Sequence, residues 1–181
     1  MTALVRPDLR LRESWAAAVA EFVGHMDGSG DWEVDGFDTS AEGAPAIVAG
    51  LLAKADPATA LPEGRVHCTY LWITVGDGAD EEFVGFLALR HSLSAWLLEE
   101  GGHIGYSVRP SRRREGHATR ALALAVRRAA ELGIERALVT CDDDNEASRR
   151  TIERCGGLYE DTRNGKRRYW IDTAANAPEK E

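Results

Sequence analysis

The chain has 181 residues, with 22 Lys or Arg against 30 Asp or Glu, a net charge of −8. That length suits one domain of about 150 residues with short appendages. Its 44% hydrophobic and 29% charged residues are globular usage, which excludes a disordered or fibrous chain. The acid excess argues against a general nucleic-acid binder or a protein held on an anionic membrane.

The charge is unevenly spread. Residues 1–108 hold 6 basic and 17 acidic groups, and residues 137–181 hold 8 and 10. Between them, residues 109–136 hold 8 basic and only 3 acidic groups, a positive island in an acidic chain. A small polyanionic ligand explains such an island, and so does a solvated helix face. No apolar run approaches the roughly 18 residues of a membrane span, and the first residues lack the apolar stretch of a secretion signal. Cys68, Cys141 and Cys155 are an odd, sparse set without metal-ligand spacing, so reduced thiols, a cytoplasmic location and no metal site are expected.

In chain order, 3–6 reads as a short strand. Asp8 is placed to cap a helix reaching about Met26, with Trp15, Ala18, Val19, Phe22 and Met26 on one face. Residues 27–43 read as an acidic loop. Pro45 starts a second helix with Ile47, Leu51, Leu52 and Ala55 as its stripe, followed by a connector at 56–65. The β-rich runs 66–75 and 83–91 form a hairpin around the polar turn 76–81. A short helix is expected at 93–100 and a strand at 102–108, stopped by Pro110. A helix over 116–132 buries Ala118, Ala121, Leu122, Ala125, Ala129 and Leu132 and ends at Gly133. A buried strand over 134–141 leads to a helix whose capping box pairs Asp143 with Glu146 and which stops at Gly156-Gly157. Strands 158–163 and 167–172 flank the hairpin turn Asn164-Gly165, and a disordered tail begins at 173. Residues 1–172 therefore form one α/β domain, a mixed sheet with helices on both faces.

The stretch 105–119 runs from strand through loop to helix. Gly116 lets the backbone turn tightly, and no Asp, Asn or Ser precedes the helix to cap its first N–H groups. Those groups carry the positive end of the helix dipole, and Arg112, Arg113 and Arg114 add charge. The segment is either a main-chain phosphate cradle or a helix start with a solvated basic rim. Spacing alone does not separate the two.

The run Arg113-Arg114-Glu115-Gly116-His117-Ala118 fits the pattern Gln/Arg-x-x-Gly-x-Gly/Ala. With the strand before it, the amphipathic helix after it, the buried strand at 134–141 and Asn145 opening the next helix, the chain resembles the GNAT superfamily of N-acetyltransferases. The runs 101–111, 141–148 and 168–171 look like a bacterial subgroup of predicted acetyltransferases. The resemblance implies a largely antiparallel twisted sheet whose central strands, 102–108 and 134–141, splay apart. It implies acetyl-CoA as cosubstrate, its pyrophosphate on the cradle of Arg113, Arg114, Gly116, His117, Ala118 and Thr119. It implies pantetheine contacts at Val108 and Asn145, and the Val108 N–H as donor to the thioester oxygen. The position where many members carry a tyrosine acid is Ile152, which has no proton to give.

Direct attack by an amine calls for a proton acceptor. Glu100 and His103 are the candidates beside the central strand, each with the plain alternative of a solvated carboxylate or a structural histidine. Strand alternation puts His103 and Tyr106 on opposite faces. Trp32, Tyr106 and His91 are candidate acceptor contacts, and the acidic loop 27–43 is either a lip for a cationic amine or a solvated loop. Cys141 reads as core, as do Trp72, Trp96 and Trp170. The partner expected is a small-molecule or peptide amine, with no nucleic acid and no membrane, and a homodimer is left open. A CoA-binding regulatory module without catalysis is the rival suggested by Ile152, and a basic-stripe interaction domain is a third reading that the net charge opposes.

Overall fold

The computed structural model describes residues 1–24, 26–30 and 37–174. Seven strands, β1 (Ala3–Val5), β2 (Cys68–Val75), β3 (Glu82–Arg90), β4 (Ile104–Val108), β5 (Arg136–Asp142), β6 (Leu158–Arg163) and β7 (Lys166–Asp172), form one sheet in the order β1-β2-β3-β4-β5-β7-β6. Every neighbouring pair is antiparallel except β4 and β5, which are parallel and share the single register pair Ile104–Val139. This is the expected mixed, largely antiparallel sheet with a central splay.

The helices α1 (Arg12–Val19) and α2 (Ala44–Ala53) cover one face, and α3 (His117–Glu131) and α4 (Glu146–Arg154) cover the other. The α1/α2 face is aromatic. Trp15, Phe22, Phe37, Trp72, Phe83 and Phe86 stack edge to face or tilted, with ring centroids as close as 4.8 Å. The α3/α4 face is aliphatic. Small residues at Ala121, Ala125 and Ala129 let α3 lie close against Leu87, Leu89 and Val139.

A β-bulge makes the two faces compatible. Ile73 pairs with Gly85 but Thr74 pairs with Phe83, so β3 carries one extra residue around Val84. Phe83 and Phe86, three apart, thereby reach the same face, which strict alternation forbids. Gly85 also has no room for a side chain, because a Cβ there would lie 2.2 Å from Ser107 O on β4.

Several expected boundaries move. The first helix stops at Val19. Glu21 and Phe22 N–H groups bond three residues back, and Gly24 takes φ +74°, so the chain leaves the helix while Phe22 and Met26 remain buried. The short helix expected at 93–100 is a π-type turn over Leu97–Gly101. On α2 the buried positions are Ala44, Val48 and Leu51, while Ala55 lies past its end. Leu132 is exposed, because α3 closes there with paired bonds from Gly133 N–H to Ala130 O and from Ile134 N–H to Ala129 O, which point its side chain outward. The α4 cap is Asn145, whose Oδ1 accepts from Ser148 N–H; Asp143 is drawn instead into an ion pair with Arg167. Trp72 is core, but Trp96 is exposed and Trp170 is only half-buried, donating Nε1–H to Glu160. Thr173 belongs to the fold: it is buried and bonds to Ile134 O and Glu135 O, and residues 175–181 lie outside the described residues.

Replacing Gly85 by Ala forces β3 and β4 apart at backbone atoms that cannot yield. The expected stability loss is about 1–3 kcal/mol, read as a lower urea midpoint with an unchanged slope.

Candidate functional site

The parallel strands β4 and β5 touch at their N-terminal ends and then diverge. His103 N–H donates to Leu138 O, and Leu138 N–H donates to His103 Nδ1, so an imidazole nitrogen takes the place of a ladder carbonyl. Beyond Ile104–Val139 the facing edges have no strand partner on that side. On the other edge of β4, Arg90 N–H donates to His103 O and Arg109 N–H to Val84 O. Antiparallel alternation then turns the main-chain groups of Tyr106 and Val108 away from β3, into the splay. The Val108 carbonyl confirms the direction, accepting a 3.0 Å bond from Arg113 Nε. The Val108 N–H therefore looks into the gap.

The splay leads to the N-terminus of α3. Gly116, at φ +83°, precedes the helix and provides no side-chain cap. The first helical bond runs from Arg120 N–H to Gly116 O, so the N–H groups of His117, Ala118 and Thr119 have no intrahelical acceptor. A Cβ built on Gly116 meets nothing within 4 Å, so open space fronts these donors. Arg114 is also left-handed, at φ +68°.

The loop before α3 is held by carboxylates. Glu21, just past α1, accepts from Arg109 Nε and Nη2 and from the N–H and Oγ of Ser111. These bonds, led by that from Arg109, bring its pKa down to about 2. Glu82 binds both Arg109 and Arg112, and Glu115 binds Arg112. The island is therefore largely neutralised at its start; Arg114, Arg120 and Arg127 are exposed and have no carboxylate partner among the described residues. The His117 ring is buried, with Nδ1 3.0 Å from Thr2 Oγ1 and Nε2 3.1 Å from Glu115 Oε2, so it offers the site its main chain rather than its ring.

On the α3/α4 side of the splay, the Tyr106 hydroxyl lies 2.8 Å from Ser148 Oγ in the first turn of α4. Burial raises the Tyr106 pKa, so it stays protonated. Ile152 is fully buried. Ser148 was not legible as a site residue; its place three positions after the capping Asn145 was the available signal. Asn145 is occupied as a cap through Oδ1.

The other candidates lie apart. His103 is buried on the opposite face of β4 from Tyr106, near Trp170. Burial and then the charge of Arg90 pull its pKa down to about 4. With Nδ1 accepting, its proton sits on Nε2. Glu100 Oε1 accepts from Asn164 Nδ2 at the β6–β7 turn. His91 Nε2 lies 2.8 Å from Thr69 Oγ1. Trp32 lies outside the described residues, as do Asp31, Glu33 and Asp35 of the acidic loop. Cys141 is buried, and its thiol is pushed up to about 11, mainly by that burial. Among the described residues no group of three or more His, Cys, Asp or Glu is placed to hold a metal, and no helix is long and apolar enough to cross a membrane.

An open sheet splayed between parallel strands, with an uncapped helix N-terminus beside the gap, defines a GNAT-type acyl-transfer scaffold. The profile of the acetyltransferase (GNAT) domain matches residues 9–157, and the chain belongs to that family. Solved structures agree on the fold. The microcin C7 self-immunity acetyltransferase MccE, solved with acetyl-CoA and AMP, is 15% identical, with 94% of this chain and 92% of that one covered and a TM-score of 0.63. RimJ of Mycobacterium smegmatis, solved with CoA-disulfide, is 21% identical, with 97% and 87% covered and a TM-score of 0.62. A Salmonella typhimurium acetyltransferase that modifies the N-terminal serine of ribosomal protein L7/L12 is 17% identical, with 94% of each chain covered and a TM-score of 0.60. Comparison with curated protein sequences yields no match.

His103 binds a proton less readily in the folded chain than at its ordinary value of 6.5. Its contribution to stability is therefore full above pH 6.5 and is lost as the pH falls from 6.5 towards 4. His103→Leu is expected to flatten that part of the curve of urea midpoint against pH, and to lower stability at pH 8 by removing the acceptor of Leu138 N–H.

Proposed function

We propose that this enzyme moves the acetyl group of acetyl-CoA directly to an amine, with both substrates bound together and no acyl-enzyme, and that it works in the cytoplasm. One observation carries the reading: the uncapped α3 N-terminus opens beside a splay into which the Val108 N–H points. The residues present fit the cosubstrate. Open space in front of Gly116 leaves room for a pyrophosphate, and the His117, Ala118 and Thr119 N–H groups are free to bind it. Arg114 stands at the rim with no competing carboxylate among the described residues. Bound acetyl-CoA supplies a thioester, an acyl group already activated towards amines.

The chain's own groups supply the rest. The Val108 N–H, fixed by the β3 ladder and by Arg113 on its carbonyl, donates to oxygen where negative charge gathers. The Tyr106–Ser148 pair holds an exchangeable proton on the α3/α4 side of the gap, the role that Ile152 cannot fill. The Tyr106 hydroxyl, kept protonated by burial, can donate its hydrogen bond to Ser148 Oγ and so turn the Ser148 O–H towards the gap as a hydrogen-bond donor. The Cys141 thiol, held up near 11, is a poor nucleophile, in keeping with direct transfer.

For the incoming amine, the proton acceptor is assigned to Glu100 rather than His103. The His103 Nδ1 is already used by Leu138 N–H, and its Nε2 already carries the proton. Glu100 lies by the β6–β7 turn, with Asn164 on one oxygen. The acceptor class follows from the partly acidic surround: an amine on a small molecule or a peptide.

Gly116→Asp places a carboxylate where the phosphates bind. Calorimetry is expected to show CoA binding abolished while circular dichroism shows the fold retained; unchanged affinity overturns the cradle. Ser148→Ala and Tyr106→Phe are expected to lower kcat about 100-fold or more with little change in the KM for acetyl-CoA. Loss confined to KM would place the pair in binding instead.

A further inference from the structure

We propose that the amine acceptor carries a carboxylate, received over Gly105 of β4 by the Arg90 guanidinium and the Gly28 N–H. The inference rests on the acetyltransferase reading and specifies its acceptor. On the β4 face turned away from α3, residues 26–30 cross the strand. Ser107 Oγ donates to Asp27 O at 2.8 Å. Gly28, at φ +79°, lies so close that a Cβ on it would sit 2.6 Å from Gly105 O and 3.0 Å from Ala88 N. Only glycine can approach the sheet in this way.

Gly105 opens a small space beneath this crossing. A Cβ built there would lie 3.5 and 3.6 Å from Arg90 Nη2 and Nη1 and 3.6 Å from Gly28 N. The Arg90 guanidinium and the Gly28 N thus border one spot over Gly105, with room for a single heavy atom such as one carboxylate oxygen. Arg90 spends Nη1 on Gly101 O and Gly102 O, at 2.8 and 3.1 Å, while Nη2 and Nε have no acceptor among the described residues. The Gly28 N–H likewise has none among them. No carboxylate among the described residues pairs with Arg90, although Arg109, Arg112, Arg163, Arg167 and Arg168 each have one. A half-buried guanidinium without a counter-ion is costly, and a ligand carboxylate supplies one with paired N–H donors.

The other end of the same track has the opposite sign. Lys166 sits among Asp142, Asp27 and Glu100; burial lowers its pKa, but the hydrogen bond and charge of Asp142 and the charges of Asp27 and Glu100 raise it overall. The Asp27 main-chain carbonyl is anchored at Ser107, two residues from Gly105, a separation of about 7 Å along a strand. A molecule lying along β4 therefore meets carboxylates near the splay and a guanidinium over Gly105. An extended amino acid or short peptide with a free carboxylate has that polarity.

The test uses the full-length enzyme loaded with CoA. Calorimetric titration compares N-acetyl derivatives of unbranched amino acids, from glycine to 6-aminohexanoate, with the corresponding amides. At least one acid is expected to bind tenfold or more tightly than its amide. Gly105→Ala fits at ordinary contact distances yet fills the space, so it is expected to bring that ratio to about one with CoA affinity unchanged. Arg90→Gln is expected to do the same. Equal binding of acids and amides, binding of neither, or a preference that survives Gly105→Ala overturns the proposal. Failure to bind CoA at all would instead overturn the acetyltransferase reading, so the two failures are distinct.

Discussion

The single contact between β4 and β5 governs the molecule. Two parallel strands in one sheet ordinarily exchange hydrogen bonds along their shared length. Here they meet at Ile104 and Val139, with His103 and Leu138 bonded just before, and then part. Buried main-chain groups without partners are costly, so a gap of this kind must be filled by something that can bond to strand edges. The splay is thus where the sheet is least bonded to itself and where the proposed cosubstrate would lie. It opens towards the C-terminal ends of two parallel strands, where open α/β sheets place their ligands.

Keeping that gap open takes packing elsewhere. The bulge around Val84 lets β3 present Phe83 and Phe86 to one face while Val84, Leu87 and Leu89 serve the other. β3 therefore braces β4 from behind with a full core on each side. Glycine at 85 lets the strands approach, and the ladder fixes the direction of the Val108 N–H. A donor aimed by a rigid strand needs no reorganisation when charge appears beside it.

The electrostatics have two layers. Glu21, Glu82 and Glu115 hold Arg109 and Arg112 and so set the path of the loop before α3. The groups left for a polyanion are main-chain N–H donors and Arg114 at the rim. This division reconciles an acidic chain with the phosphate site proposed above: much of the local basic charge is structural. Glu21 also follows α1 directly, so one carboxylate ties the end of that helix to the loop before α3.

The sequence determined the order of elements, the uncapped glycine start of α3, its close at Gly133, the Asn164-Gly165 hairpin and the opposite facing of His103 and Tyr106. Each of these follows from local rules of spacing, capping and positive φ. It did not determine where α1 stops, since Phe22 and Met26 keep helical spacing although the chain has left the helix; burial against the sheet, not periodicity, holds them. It placed the α4 cap at Asp143, because local pattern cannot foresee that Arg167, 24 residues away, captures that side chain. It flagged Ile152 but not the Tyr106–Ser148 pair, which spans 42 residues and forms only when α4 docks over the splay. The convergence of Arg90, Gly28 and Gly105 is likewise invisible in sequence. Three residues from a loop and two strands meet there because backbone approach at glycine, a purely tertiary event, brings their donors to one point.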